Sequence, residues 1–468
     1  MPNLDIAAEL AGLLGPDSVI ADPARMGSYL NEPRKRFHTG AAAIALPRDV
    51  PQVQALVAWA NERRIGIVPQ GGNTGLVGAQ VPMRGDEVIV SLTRLDRVRE
   101  VNADAGNMVA EAGVILQRAH EAAEAEGAMF PLWLASQGSA RIGGVLSSNA
   151  GGVQVLAFGN ARELCMGVEA VLPDGRLYRG LNALRKDNTG YDLKHLLVGA
   201  EGTLGIITAA TLKLFPLPEA HETALCSVAS PVEALALFYL LRERAGTRLT
   251  AFELMPRFGI DLQLKHGMLA RDPSAGPSPW YALCEINRMR GGTPGAMQEA
   301  LEAALARGMI TDAVMAESES DRTTMWAARE QMSDVQSREG ASIKHDVSVP
   351  IAQIPRLLAE GIAAVERIVP GIRPCAFGHM GDGNVHFNLS QPEGAEGKAF
   401  MAGAEPVHAA IYEVVLRLGG SVSAEHGIGQ LKVDLLKQVK DPVALDMMRA
   451  IKRALDPNGI MNPGKMLG

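Results

Sequence analysis

The chain has 468 residues, 47% hydrophobic and 21% charged, with a formal net charge of −7 and a pI near 5.9. That length exceeds what one hydrophobic core supports, so two or three lobes are expected, and the composition excludes collagen, coiled coil and disorder. The acidic balance gives no basic footprint, which excludes nucleic acid as the expected partner.

Residues 1–20 read as a short amphipathic helix without the layout of a secretory signal. No run of about 18 uncharged apolar residues is available to span a membrane. The expectation is a cytoplasmic protein. Between residues 45 and 215, short strands (65–69, 87–92, 168–178, 204–215) alternate with a helix over 114–126, an α+β pattern threaded by glycine loops. Cys165, Cys226, Cys284 and Cys375 lie in apolar text without C-x-x-C spacing and read as buried, reduced thiols.

Prolines in LFPLPEA (214–220) end this pattern, giving a boundary near 216. Strands near 222–229, 249–255, 279–286 and 342–349 then alternate with helices near 231–243, 295–307, 320–339 and 351–366. This suggests a sheet covered by helices on one face. The tail holds a helix over 404–418, the loop 421–430 and a last helix stopped by Asp456-Pro457-Asn458-Gly459. The expected domains are 1–215, 216–403 and a C-terminal segment 404–468.

Three glycine loops stand out: RIGIVPQGGNTGLVGAQVP (64–82), SQGSARIGGVLSSNAGG (136–152) and LRKDNTGYDLKHLLVGAEGTLGIIT (184–208). Glycines after a strand can aim successive N–H groups at one anionic point. Neither the G-x-G-x-x-G nor the P-loop fingerprint fits them. Three such loops on adjacent strands can line one long groove suited to an extended dinucleotide. Together they resemble the FAD-binding domain of the vanillyl-alcohol oxidase / p-cresol methylhydroxylase superfamily, and within it the FAD-linked oxidase group that contains D-lactate and D-2-hydroxyglutarate dehydrogenases.

That resemblance implies a two-lobed FAD-binding domain, an α+β substrate (cap) domain and a C-terminal helical segment. It implies flavin contacts from Pro69, Gly71, Gly72, Asn73, Thr74, Gly75, Gly78 and Ala79 in the first loop. Gly138, Ser139, Gly143, Gly144, Ser148, Asn149, Gly151 and Gly152 follow from the second. Glu201, Gly202, Gly205, Ile207 and Asn462 complete the pocket. Some relatives attach the flavin through a histidine in the first loop; none stands there in this chain, so non-covalent FAD is expected. Ala157 replaces an arginine common in relatives.

CAFGHMGDGNVHFNL (375–389) places apolar runs around a Gly-Asp-Gly-Asn turn, the composition of a hairpin closed between Met380 and Val385. That pairing sets His379 opposite His386, with Cβ atoms about 4.5–5.5 Å apart. Asn388 points the same way. Two imidazoles are half a catalytic metal site, which usually takes three protein ligands. SAEHGIG (423–429) offers Glu425 with His426 beside it, although spacing alone favours a solvated turn there. The resemblance covers both motifs. It implies that His379, His386 and Glu425 bind the metal, that Asn388 contacts substrate and that His426 is the base. Zinc suits the N,N,O set first, with manganese or iron(II) also fitting. The metal then holds the 2-hydroxyl and 1-carboxylate of a D-2-hydroxy acid while hydride passes to flavin N5.

In WAAREQMSDVQSREGASIKHDVSVP (326–350), a helical period sets Arg329 and Ser333 at i and i+4, and Lys344 follows on a strand. An arginine, a hydroxyl and a lysine that converge make a carboxylate clamp. D-2-hydroxyglutarate dehydrogenases hold the distal carboxylate with Arg, Thr and Lys at these relative positions; here Ser333 replaces the threonine. D-2-hydroxyglutarate is therefore expected over D-lactate, with other D-2-hydroxy diacids such as D-malate kept open. Two further readings are a transferase of the alkyl-glycerone-phosphate synthase type and a non-catalytic flavin or metal module. Without a nicotinamide fingerprint, electron transfer flavoprotein or a quinone is the expected acceptor. A homodimer is left open.

Overall fold

The structure, a computed structural model, describes residues 5–468. It divides into two compact units. The first comprises residues up to 152, 159–217 and 425–468, and the second comprises 153–158 and 218–424. The divisions at Leu217 and Ala424 differ from the expected 215 and 403. The helix Ala404–Arg417 buries Val407, Ile411, Val414 and Val415 in the same core as Leu357 and Leu358 of Ile354–Ile368, so it belongs to the second unit.

The first unit has two main sheets. In one, Ala43–Ala45, Val88–Ser91 and Ile67–Gln70 run parallel, with Val19–Ile20 antiparallel on the outer side. The helix Val50–Arg63 covers these strands. Asp49 starts it by accepting the Gln52 N–H, and Pro51 occupies a first-turn position where no N–H is needed. Its Val53, Leu56, Val57 and Ala60 are buried with Ile67, Val88 and Val90. The second sheet is antiparallel, ordered Val98–Asn102, Asn107–Glu111, Ile206–Lys213, Cys165–Val171, Leu177–Gly180. The C-terminus returns to the first sheet, where Ile67 N–H donates to Ile460 and Asn462 N–H donates to Ile67.

The second unit is built on an eight-stranded sheet. Its order is Asp312–Met315, Ala220–Val228, Trp280–Arg288, Leu249–Pro256, Arg373–His379, Asn384–Ser390, Ser342–Ile343, and Asp346–Ser348 also pairs with Asn384–Ser390. Helices pack on both faces rather than one. The strands are apolar at both alternating positions: Ala224, Cys226, Phe252 and Leu254 face one core, and Leu225, Ala251 and Met255 face another. The second core is closed by Ile260, Met325, Trp326 and Met332. The expected helix over 320–339 is two, Glu319–Glu330 and Met332–Arg338, meeting at Gln331. The four cysteines are buried and free. Among the described residues no helix is long and apolar enough to cross a membrane.

Candidate functional site

In the first unit the three glycine loops converge. A Cβ on Gly72 would lie 2.0 Å from the Ser139 carbonyl oxygen, one on Gly71 3.6 Å from Gly144 N, and one on Gly202 3.1 Å from the Pro69 ring. Asn462 ties the C-terminus to this region, its Nδ2 donating to Ala79 at 2.9 Å and to Glu201 at 2.7 Å. Asn73 and Asn149 take positive φ; Asn73 donates to Ser28 and Asn31, and Asn149 accepts from Arg162 N–H.

These glycines serve two ends. Gly72, Gly75, Gly78, Gly143 and Gly152 let protein atoms approach where a Cβ would collide. At Gly144 nothing lies within 4 Å of an added Cβ, and at Gly138 only Gln117 does, at 3.6 Å. The second segment, which the structure turns into a short helix at Ile142–Ser147, therefore faces open space at Gly138 and Gly144, as a cradle for a bulky flavin requires. Thr74, Ser148, Gly151 and Gly205 lie on the same three segments, and Ile207 lies on the strand Ile206–Lys213 that follows the third. Glu201, buried and at φ 50°, accepts the N–H groups of Ile428 at 2.7 Å and Gly429 at 2.6 Å. Glu425 and His426 stand just before these anchored residues, at the start of the first unit's last segment.

In the second unit, the hairpin register differs from the expected one. His386 pairs with Phe377, Phe387 with Ala376 and Asn388 with Cys375, so the turn is Met380–Gly383 and the ladder is displaced by two residues. His379 pairs instead with Glu253 on Leu249–Pro256. A two-residue displacement keeps every side chain on its face, so the histidines stay together as a diagonal pair. Their ring centroids are 5.4 Å apart at 78°, with one nitrogen of each within 4.8 Å of the other.

Glu253 is the residue that sequence reasoning missed. It is fully buried, with one oxygen 2.7 Å from His379 Nδ1 and the other 2.5 Å from Arg329 Nε. Burial alone would push its carboxyl up, but the charges and hydrogen bonds of Arg329 and His379 hold it at about 2. The available signal was a single acid inside the apolar run LTAFELMP (249–256), since a buried carboxylate requires a partner. Burial pushes Asp382, in the turn, up to about 6. Asp346 also joins the site, 3.9 Å from His386 Nδ1.

His379 Nδ1 faces the Glu253 carboxylate and Arg329 Nη2 stands 3.5 Å from its Nε2; a carboxylate behind one ring nitrogen is the usual arrangement around histidine ligands. Two imidazoles within reach of one ion fit a zinc-type set that needs one more oxygen. Ala424, the residue before Glu425, has its N–H 3.3 Å from the Asp346 carbonyl oxygen.

The expected carboxylate clamp is only partly assembled. Lys344 Nζ lies 2.9 Å from the Ser333 hydroxyl. Arg329 is 6% exposed, bonded to Glu253, and stacked 4.8 Å over the Phe377 ring. Asn388 shares the His386 face, but its Nδ2 donates to Gln336 at 2.9 Å.

Residues 217–466 match the family described as FAD linked oxidases, C-terminal domain, and residues 41–180 match the FAD binding domain. The chain is 36% identical over 445 residues to a D-2-hydroxyglutarate dehydrogenase of Xanthomonas citri pv. viticola, covering 95% of this chain and 93% of that protein. It is 36% identical over 457 residues to the mitochondrial D-2-hydroxyglutarate dehydrogenase of Bos taurus, covering 97% and 81%. A D-2-hydroxyglutarate–pyruvate transhydrogenase of Saccharomyces cerevisiae is 32% identical, with coverage of 95% and 90%. Among solved structures, p-cresol methylhydroxylase with substrate bound aligns at TM-score 0.78 and 18% identity, covering 98% of this chain and 96% of that one. An alkyldihydroxyacetonephosphate synthase aligns at 0.74 and 18%, covering 97% and 84%. At such identity these two share the fold.

Proposed function

The chain belongs to the FAD-linked oxidase family, and from that premise we propose that it is an FAD-dependent dehydrogenase that oxidises D-2-hydroxyglutarate to the corresponding 2-oxo acid. Full-length similarity to D-2-hydroxyglutarate dehydrogenases carries this reading. The Lys344 and Ser333 pair supports a dicarboxylate, because a cation and a hydroxyl side by side suit a second carboxylate. FAD held by the three glycine loops supplies the hydride acceptor.

We assign a divalent metal, zinc first and manganese or iron(II) as alternatives, to His379, His386 and Glu425; it would make the substrate hydroxyl more acidic. The resemblance of SAEHGIG (423–429) to the family's motif supports Glu425 as the third ligand. His426 takes the proton of the 2-hydroxyl as general base. Asn388 is assigned to substrate binding and Gln336 orients its amide. Arg329 is assigned to the substrate's distal carboxylate, and it also pairs with Glu253 and stands 3.5 Å from His379 Nε2. Lack of a nicotinamide fingerprint supports a flavoprotein or quinone as acceptor.

An anaerobic screen of D- and L-2-hydroxy acids for bleaching of the bound flavin tests the reading. D-2-Hydroxyglutarate is expected to bleach it fastest; faster bleaching by D-lactate or by an L-acid rejects the substrate assignment. His386→Ala is expected to lose metal and keep its flavin, since the flavin is assigned to the glycine loops and His386 lies on the strand Asn384–Ser390.

A further inference from the structure

We propose that Glu253 is a positioning residue that locks His379 in the Nδ1–H tautomer and so presents Nε2 as the metal-binding atom. This rests on the metal reading above. Glu253 and His379 are paired across adjacent strands, so their side chains leave the same face of the sheet a few ångströms apart. An ionised carboxylate only accepts, so the 2.7 Å contact requires a proton on Nδ1. The tautomer is thus assigned from the Nδ1 contact with Glu253, whose other oxygen is paired with Arg329.

A plainer role for Glu253 would be to neutralise Arg329 and dock its helix. The same helix provides a comparison, because Arg322 and Arg329 are seven residues, about two turns, apart on one face. Arg322 meets Glu285 on the neighbouring strand as a two-pronged pair, Nε at 2.7 Å from one oxygen and Nη2 at 3.0 Å from the other. His221 stays 3.6 Å from Glu285 and bonds Asn287 instead. Docking the helix there engages both oxygens of Glu285, one of which also accepts from Thr223 and Trp326. Glu253 divides its oxygens, one to Arg329 and one to His379. It makes one fewer bond to the arginine and gains hold of the imidazole.

Glu253→Gln separates these roles. If the amide oxygen keeps the Arg329 bond, its NH2 faces Nδ1 and drives the ring to the Nε2–H tautomer, which has no lone pair to offer. If the amide turns round, NH2 opposes the guanidinium. Zinc affinity of the FAD-loaded protein, stripped of metal and dialysed against chelator-buffered zinc, is expected to fall about 10- to 100-fold in Glu253→Gln. Glu253→Asp, which keeps two accepting oxygens, should fall in between. Nitrogen-15 NMR of histidine-labelled, metal-free wild type, with His379 assigned by its Ala variant, should show Nδ1 protonated and Nε2 bare. This measurement does not depend on any Glu253 variant folding. An Nε2–H tautomer in the wild type, unchanged zinc affinity in Glu253→Gln, or lost affinity with the wild-type tautomer retained would each overturn the positioning role. A wild-type protein that takes up no zinc overturns the metal reading, and this role with it, whereas the NMR result still reports the tautomer.

Discussion

Lys344 Nζ lies 2.9 Å from Ser333 Oγ, joining a cation on the link between the strands Ser342–Ile343 and Asp346–Ser348, not on a strand as expected, to a helix-borne hydroxyl. If this pair receives the distal carboxylate, Lys344→Met leaves that charge without its partner, a loss of about 2–5 kcal/mol for a charge pair. The kcat/KM for D-2-hydroxyglutarate should then fall roughly 30-fold or more, at about 1.4 kcal/mol per tenfold. D-lactate has no second carboxylate and should change little. Steady-state kinetics on both acids decide the matter, and equal losses reject the clamp.

Arg329 should behave differently from Lys344. Removing it strands the buried Glu253 carboxylate, and breaking one side of a buried ion pair costs about 3–5 kcal/mol. Arg329→Ala is expected to lower the urea unfolding midpoint and to depress turnover of both acids together. An unchanged midpoint would show that the Glu253 pair contributes nothing to stability.

Flavin attachment gives a test that needs no variant. No histidine occurs in the first glycine loop, so acid precipitation should release the yellow colour to the supernatant. Colour kept in the pellet would establish a covalent bond.

Acid sensitivity should centre on Glu339, which accepts from Arg373 at 2.8 Å and from Lys265 and His266 at 2.9 Å each. The Arg373 bond leads in holding its carboxyl at about 2, below the ordinary 4.5, against a smaller upward push from burial. A depressed carboxylate stabilises the fold above the unfolded-state value and loses that contribution as pH falls through the folded one. The stability gap between wild type and Glu339→Gln, about 1–3 kcal/mol at pH 7 after allowing for solvent screening, should close between about pH 4.5 and pH 2. Urea melts at a series of pH values would show it, and a gap independent of pH would remove Glu339 from the acid response.

Alternation along NVHFNLS (384–390) was legible from the residues alone, because side chains on a strand change face every residue. It put His386 and Asn388 on one face whatever the pairing. The glycine-rich segments and the proline break at LFPLPEA (214–220) were legible for a related reason: glycine and proline act through their own backbones. The pairing itself lay beyond the sequence. Hairpin register depends on how the turn at Met380–Gly383 closes and on the strand Leu249–Pro256, which takes His379 as its partner. Glu253 is 126 residues from His379, and no local pattern links two such positions. Only the folded sheet decided that this carboxylate would hold both an expected metal ligand and an expected substrate arginine, and the reason is desolvation: a buried carboxylate must collect whatever donors the neighbouring strand and helix bring to it.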